Sequence, residues 1–182
     1  MHESELDNDQ QQFLLKLARA AIRRHLEKGR PPSPKVKDRV MQDERGAFVT
    51  LRFKERLRGC IGYPEPQGAL YRTVMDAAVM AATRDSRFPP LTLEELAETR
   101  IEISVLSPSR KIKDISEIIL GKHGIIVTRG LQRGLLLPQV PVEWDWDLET
   151  YLRHGCLKAG LEENAWQKGA EIQLFSAQVF SE

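Results

Sequence analysis

Apolar positions along this chain recur in two rhythms, one of three and four residues and one of two. Phe13, Leu14, Leu17, Ala18, Ala21 and Ile22 keep the first and predict an amphipathic helix with a single apolar stripe. Asp9 stands where a side-chain cap would start that helix at Gln10, and Gly29 stands where a left-handed residue would close it. Arg30-Pro31-Pro32-Ser33-Pro34 follows as an extended connector, because proline has no N–H and turns its predecessor away from helical geometry.

The rhythm then changes. Ala47, Val49, Leu51 and Phe53 alternate with Phe48, Thr50, Arg52 and Lys54, which predicts a strand with one wholly apolar face. Lys54-Glu55-Arg56 turns the chain into a second strand, Leu57 to Tyr63, which Pro64 and Pro66 stop. Leu70, Val74, Ala77, Ala78 and Ala81 mark a helix whose alanines allow a neighbour to approach closely. A polar loop, Arg84 to Pro90, leads to Thr92. Glu95, three residues on, completes a capping-box signature for a short helix over Leu93 to Glu98.

Ile101, Ile103 and Val105 alternate with Glu102, Ser104 and Leu106 as another strand, and Gly124 to Arg129 with Gly134 to Leu137 form a hairpin around Gly130. Asp147 caps a helix bearing Leu148, Tyr151, Leu152 and Cys156, and Gly160 ends it. In the last strand, Glu171 to Phe180, the apolar phase moves from Ile172 and Leu174 to Phe175, Ala177 and Val179. One extra residue swaps faces, so a bulge is expected at Leu174-Phe175. Strand pairs joined by short turns, mixed with helices, predict an α+β fold with antiparallel pairing rather than a doubly wound sheet.

Composition sets the scale. A chain of 182 residues, 41% hydrophobic and 29% charged, has the core for one domain, with room for two lobes but not for two full-sized domains. Lys and Arg total 27 against 26 for Asp and Glu, a net charge of +1 that argues against a nucleic-acid partner. Cys60 and Cys156 are too few and too far apart for a disulfide scaffold, and the lack of a Cys-x-x-Cys pair speaks against structural zinc. Met1 to Asp9 is acidic and polar, unlike a secretory signal, and no apolar run reaches bilayer-spanning length. The expectations are a cytoplasmic location, no membrane association and no cofactor.

Candidate chemistry centres on Leu57-Arg58-Gly59-Cys60-Ile61-Gly62. In a strand, Leu57, Gly59 and Ile61 point one way and Arg58, Cys60 and Gly62 the other. With Leu57 and Ile61 on a core, Arg58 would lie beside Cys60, where a guanidinium favours the thiolate. Gly59 and Gly62 inside a strand suggest close approach by a ligand or another backbone. Cys60 thus has two readings, a small buried apolar group or a functional thiol. His123 is a candidate base for it, since thiol and imidazole form a workable nucleophile, with a structural role as the alternative. It is preferred over His2, His25 and His154, which have no motif around them.

Arg84 and Arg87 could grip a carboxylate or phosphate with Asp85 orienting them, or the three could form an ion-pair cluster that fixes the loop. Gln139, between Pro138 and Val140, could orient a substrate or bond a loop backbone. Cys156 reads as core and Lys158 as solvated. Trp144 and Trp146 could stack on a ligand, though anchoring the helix after them explains them as well. A metal site from Cys60, His123 and a carboxylate has no spacing signature, and none is expected.

The hallmark segment resembles that of the AMMECR family. The likeness continues in order through Arg84-Asp85-Ser86-Arg87-Phe88-Pro89-Pro90, Ile101 to Ser107, His123-Gly124, Leu137-Pro138-Gln139-Val140, Trp144 and Cys156-Leu157-Lys158-Ala159-Gly160-Leu161. The resemblance implies two unequal subdomains, each an antiparallel sheet with flanking helices, separated by a cleft toward which the hallmark side chains look. The larger would hold both chain ends. It implies no particular reaction. It does imply association with Memo-like and radical S-adenosylmethionine proteins, as in the AmmeMemoRadiSam system, although this chain has no three-cysteine cluster motif. Three functions compete: a binding or accessory component for such a partner or a large substrate, an enzyme using Cys60 as nucleophile, and a nucleic-acid binder. For want of a complete catalytic constellation the first is preferred, with the enzyme as its alternative and nucleic-acid binding the weakest.

Overall fold

A computed structural model describes residues 5–182. The start of the chain, including His2, lies outside the described residues. The chain divides into two compact units. One runs up to Leu106 and includes Gln178–Glu182, and the other is Ser107–Ala177. The strand pairings are antiparallel. The fold is α+β, as the mixture of rhythms predicts.

The first unit begins with α1 (Asn8–Lys28), whose start is set by Asp7 rather than Asp9. Asp7 accepts from the Gln10 N–H at 2.8 Å while the Gln10 side chain accepts from the Asp7 N–H at 3.0 Å, a reciprocal capping box. Gly29 closes the helix at φ 70°. The proline connector is irregular, and a short helix, α2 (Arg39–Gln42), follows it.

The hairpin of β1 (Ala47–Phe53) and β2 (Arg56–Tyr63) turns on Lys54 and Glu55, both at positive φ, as a tight two-residue turn requires. The chain continues through α3 (Leu70–Thr83), α4 (Leu93–Glu98) and β3 (Thr99–Leu106). Strand order is β2-β1-β3, with the last residues of the chain beyond β3 and β2 at the edge. One face of this sheet carries Ala47, Val49, Leu51, Ile101, Ile103 and Val105, all fully buried. Ala18 and Ala21 of α1 and Ala77, Ala78 and Ala81 of α3 are buried with them, and their small side chains let the two helices pack closely over the sheet.

Pairing in the hairpin departs from simple alternation. Leu51 faces Gly59 but Arg52 faces Leu57, so Arg58 is an extra residue on β2. The bulge separates Leu57 from Ile61. Ile61 pairs with Val49 and packs on the core, whereas Leu57 joins the row of Arg52 and is only half-buried. The expectation that both face the core fails for that reason.

The second unit contains β4 (Arg110–Lys111), β5 (His123–Arg129), β6 (Gln132–Leu136), a short helix α5 (Val140–Glu143), α6 (Leu148–Lys158) and β7 (Glu171–Ser181), whose last residues belong to the first unit. Here β5 lies between β7 and β6. Asp147 caps α6, and Tyr151, Leu152 and Cys156 sit fully buried against Ile125, Val127 and Leu174. The bulge expected at Leu174-Phe175 is absent, because β5 and β7 pair without a break from His123↔Ser176 to Thr128↔Glu171. The phase changes because both faces are covered there. Leu174 enters the core, while the Phe175 ring fills the space left above Gly124, where a Cβ would come within 2.1 Å of it. Among the described residues no helix is long and apolar enough to cross a membrane.

The close contact of α3 with β2 gives a stability test. A Cβ on Gly59 would stand 2.2 Å from the Ala81 carbonyl oxygen, and neither backbone can move without shifting its element. Gly59→Ala is expected to lower stability to urea by about 1–3 kcal/mol, the usual scale of overpacking. An unchanged midpoint would mean that α3 does not press on β2 at this point.

Candidate functional site

The hallmark segment, the loop after α3 and the start of α4 come together at the outer edge of β2. An edge strand leaves alternate N–H and C=O groups without a ladder partner. At Cys60 the unladdered N–H donates to Asp85 Oδ2 at 2.9 Å. Asp85 is 6% exposed, and its carboxylate also accepts from the Arg87 N–H at 3.1 Å, from Arg87 Nε at 2.9 Å and from Arg87 Nη2 at 2.7 Å. These bonds explain its acidity. Arg87 above all, and then the backbone N–H groups of Cys60 and Arg87, hold the Asp85 carboxyl well below the ordinary carboxylate range despite its burial.

The other end of the loop is tied by Arg58. Its Nε and Nη2 meet the two Glu95 oxygens at 3.0 and 2.9 Å, and Nη1 donates to the Pro89 carbonyl at 2.8 Å. Glu95 simultaneously caps α4 with Thr92, as the capping-box spacing predicts. The Arg58 pair holds the Glu95 carboxyl below the ordinary carboxylate range. The Phe88 ring lies within cation–π reach of both guanidinium groups, 6.0 Å from Arg58 and 5.4 Å from Arg87. Residues 84–90 are therefore clamped to β2 at two points.

Cys60 is half-buried, on the sheet face that also carries Thr50 and Phe48. The Thr50 hydroxyl donates to Cys60 Sγ at 3.3 Å. Arg58 was expected to serve the thiol, but its guanidinium is committed to Glu95 and the proline carbonyl. The cation whose charge reaches Cys60 is Arg87, and its side chain is 55% exposed. The two glycines have their space filled from within the fold. Gly59 accommodates the Ala81 carbonyl, and Gly62 lies under the Phe48 ring, which a Cβ would meet at 2.3 Å. Arg84 ends α3 and is exposed.

Arg58, Gly59, Cys60, Gly62, Arg84, Asp85 and Arg87 all belong to the first unit, and the structure joins Arg58, Cys60, Asp85 and Arg87 in one network. His123 and Gln139 belong to the second. His123 begins β5, half-buried, and its Nδ1 accepts from the Ile119 N–H at 3.1 Å. Gln139 precedes α5 and makes no capping bond with its side chain. Among the described residues no group of three or more His, Cys, Asp or Glu side chains is arranged to hold a metal ion.

Sequence reasoning missed Glu95 and Thr50 as members of the network. Glu95 was read only as a cap, yet a carboxylate that caps through one oxygen keeps capacity for an arginine. Thr50 was hidden by the bulge. Counted straight from the Lys54-Glu55 turn, Thr50 would face Gly59, and the extra Arg58 moves Cys60 opposite it instead.

The AMMECR1 family model matches residues 15–180. Protein MK0488 of Methanopyrus kandleri is 46% identical over 181 residues, covering 94% of this chain and 87% of that protein. Protein MJ0810 of Methanocaldococcus jannaschii is 44% identical, covering 93% and 89%. The crystal structure of the uncharacterised protein PH0010 from Pyrococcus horikoshii is similar to this fold with a TM-score of 0.81 at 40% identity, over 93% of this chain and 90% of that one.

The lowered pKa of Asp85 sets a pH dependence. The folded state binds this proton less readily than the unfolded chain, whose aspartate titrates near about 3.9. The stabilisation is therefore present in full above that value and is lost as pH falls toward the folded value. Asp85→Asn is expected to cost about 1–2 kcal/mol at pH 7, reduced by the solvent screening of half-exposed Arg87. In urea titrations the gap between wild type and variant should shrink steadily from pH 4 to pH 2. A gap that does not change with pH would rule out the charged clamp.

Proposed function

This chain belongs to the AMMECR1 family, and from that premise and the clamped edge at Cys60 we propose that it is a binding or accessory component. It acts in the cytosol with Memo-like or radical S-adenosylmethionine proteins, the association that its resemblance implies. The observation that carries this reading is the commitment of the polar groups around the thiol. The Asp85 carboxylate accepts four N–H bonds and is held ionised, so it is a poor base at neutral pH. The Thr50 hydroxyl donates to the sulfur and takes no proton from it. Such an arrangement is a rigid rim that presents the exposed guanidinium of Arg87 beside a half-buried thiol. It suits recognition of a carboxylate-bearing surface by shape and charge. Arg84 adds a second exposed cation to the same loop.

One observation favours a second reading, with Cys60 as a nucleophile. Cys60 is half-buried rather than sealed in the core, so its sulfur is open to a reagent.

Two measurements separate the readings. In isothermal titration against purified Memo-like and radical S-adenosylmethionine proteins, the wild-type chain should bind at least one of them. Arg87→Glu should weaken that binding at least about tenfold, as reversal of an interfacial charge does, and Cys60→Ser should retain it. Absence of binding to either protein counts against the accessory role. Rapid, selective alkylation of Cys60 by iodoacetamide at pH 7, with loss of pathway activity in Cys60→Ser, would establish the nucleophile instead.

A further inference from the structure

The second unit carries a surface feature built from its own residues. The α5 helix ends in a tight turn in which Trp146 N–H reaches back to the Pro141 carbonyl at 2.8 Å. Asp145 takes the left-handed position of that turn, φ 51°, where glycine is the usual occupant. Trp146 packs against the core of the unit and stacks on His154, with ring centroids 3.9 Å apart and planes at 15°. Trp144 leans on Trp146 at 6.4 Å and 26°, yet it is 68% exposed. Anchoring of α6 therefore falls to Trp146. Trp144 buries too little to hold the fold together.

Its surroundings indicate what would cover it. Glu143 and Asp145 flank Trp144 and are exposed, and the structure gives neither carboxylate a hydrogen-bond or ion-pair partner among the described residues. From Gly134 to Leu152 the sequence contains no Lys, Arg or His. Val142, 64% exposed, adds an apolar neighbour. An exposed indole with an unpaired carboxylate on each side of it in the sequence complements a planar cation. The guanidinium of arginine stacks on an indole, pairs with carboxylates through its fork of N–H groups, and gives up its water more readily than an ammonium. Phosphate-bearing partners would meet two negative charges here. A sugar would stack on the indole and donate hydroxyls to the carboxylates, but it would leave their two charges unneutralised.

We infer that the Glu143-Trp144-Asp145 corner is a docking site for an arginine-bearing segment of a partner protein. The occupant places one guanidinium over Trp144 and bonds it to Glu143 or Asp145, with apolar contact at Val142. This site does not depend on the reading of Cys60, and either can fail without the other.

The test uses the full chain, labelled so that the indole N–H signals of its tryptophans are resolved by NMR, with Trp144→Ala assigning one of them. The probes are a capped pentapeptide with two arginines, the same peptide with citrulline in place of arginine, a lysine version, and maltotriose. The arginine peptide should shift the Trp144 signal in a saturable way. The citrulline peptide and the sugar should leave it in place, and lysine should bind several-fold more weakly. Trp144→Ala should weaken binding of the arginine peptide roughly two- to fivefold, the range of an exposed cation–π contact. Asp145→Gly keeps the turn geometry and should weaken it too, and both losses should be matched in wild type by raising the salt concentration. The inference is overturned if the arginine peptide causes no shift at millimolar concentration. It is overturned equally by a matching response to citrulline, by affinity unchanged in both variants, or by a Trp144 signal that moves on dilution alone and so reports a second copy of the chain.

Discussion

The backbone N–H of Cys60 points off the edge of a sheet, and the arrangement of the hallmark segment follows from how that group is satisfied. An edge strand invites pairing with another chain unless its outward groups are capped or its line is broken. Both devices operate here. The Asp85 carboxylate takes the N–H, and the extra residue at Arg58 interrupts the ladder. Asp85 does this most strongly as an anion, and it remains an anion above all because Arg87 bonds it through two side-chain nitrogens. Arg58, displaced by the bulge, ties the far end of the loop through Glu95. One unsatisfied donor thus accounts for two arginines, two carboxylates and the fixed course of residues 84–90.

This view changes what the motif residues mean. A strand of alternating side chains suggests that Arg58 tunes the thiol and that the glycines make room for a ligand. In the folded chain Arg58 is a structural tie, Gly59 makes room for α3, and Gly62 for Phe48. What the segment offers to solvent is narrower: a half-buried sulfur held by Thr50, with the open side of Arg87 next to it. Fixed charge and fixed shape are requirements of recognition, and the cost of ordering the loop is met within the fold before any partner arrives.

Legibility of the fold from sequence was high where a signal is local. The Thr92 and Glu95 spacing, the apolar face of Ala47, Val49 and Leu51, and the cap at Asp147 each depend on residues a few positions apart, and each is found as expected. It was low where the outcome depends on pairing across space. The bulge at Arg58 leaves no mark in the hydrophobic pattern, yet it decides which residue faces Cys60 and sends Leu57 away from the core. The phase change at Leu174-Phe175 leaves a mark, but a misleading one. It reflects cover on both faces of an unbroken strand, with Phe175 seated over Gly124. For the candidate site, the residue types around Cys60 were visible while their partnerships were not, because Glu95 lies 37 positions from Arg58 and Asp85 lies 25 from Cys60.

Amide hydrogen exchange at Cys60 tests the central claim most directly. An outward N–H on a solvent-facing edge exchanges quickly unless a fixed acceptor holds it. The account predicts strong protection of the Cys60 amide in the native chain at neutral pH. It also predicts that Asp85→Ala abolishes that protection while leaving the inward amides of β1 slow to exchange. A Cys60 amide that exchanges as fast as an open edge in the wild-type chain, or whose protection survives Asp85→Ala, would contradict the carboxylate clamp and the functional reading built on it.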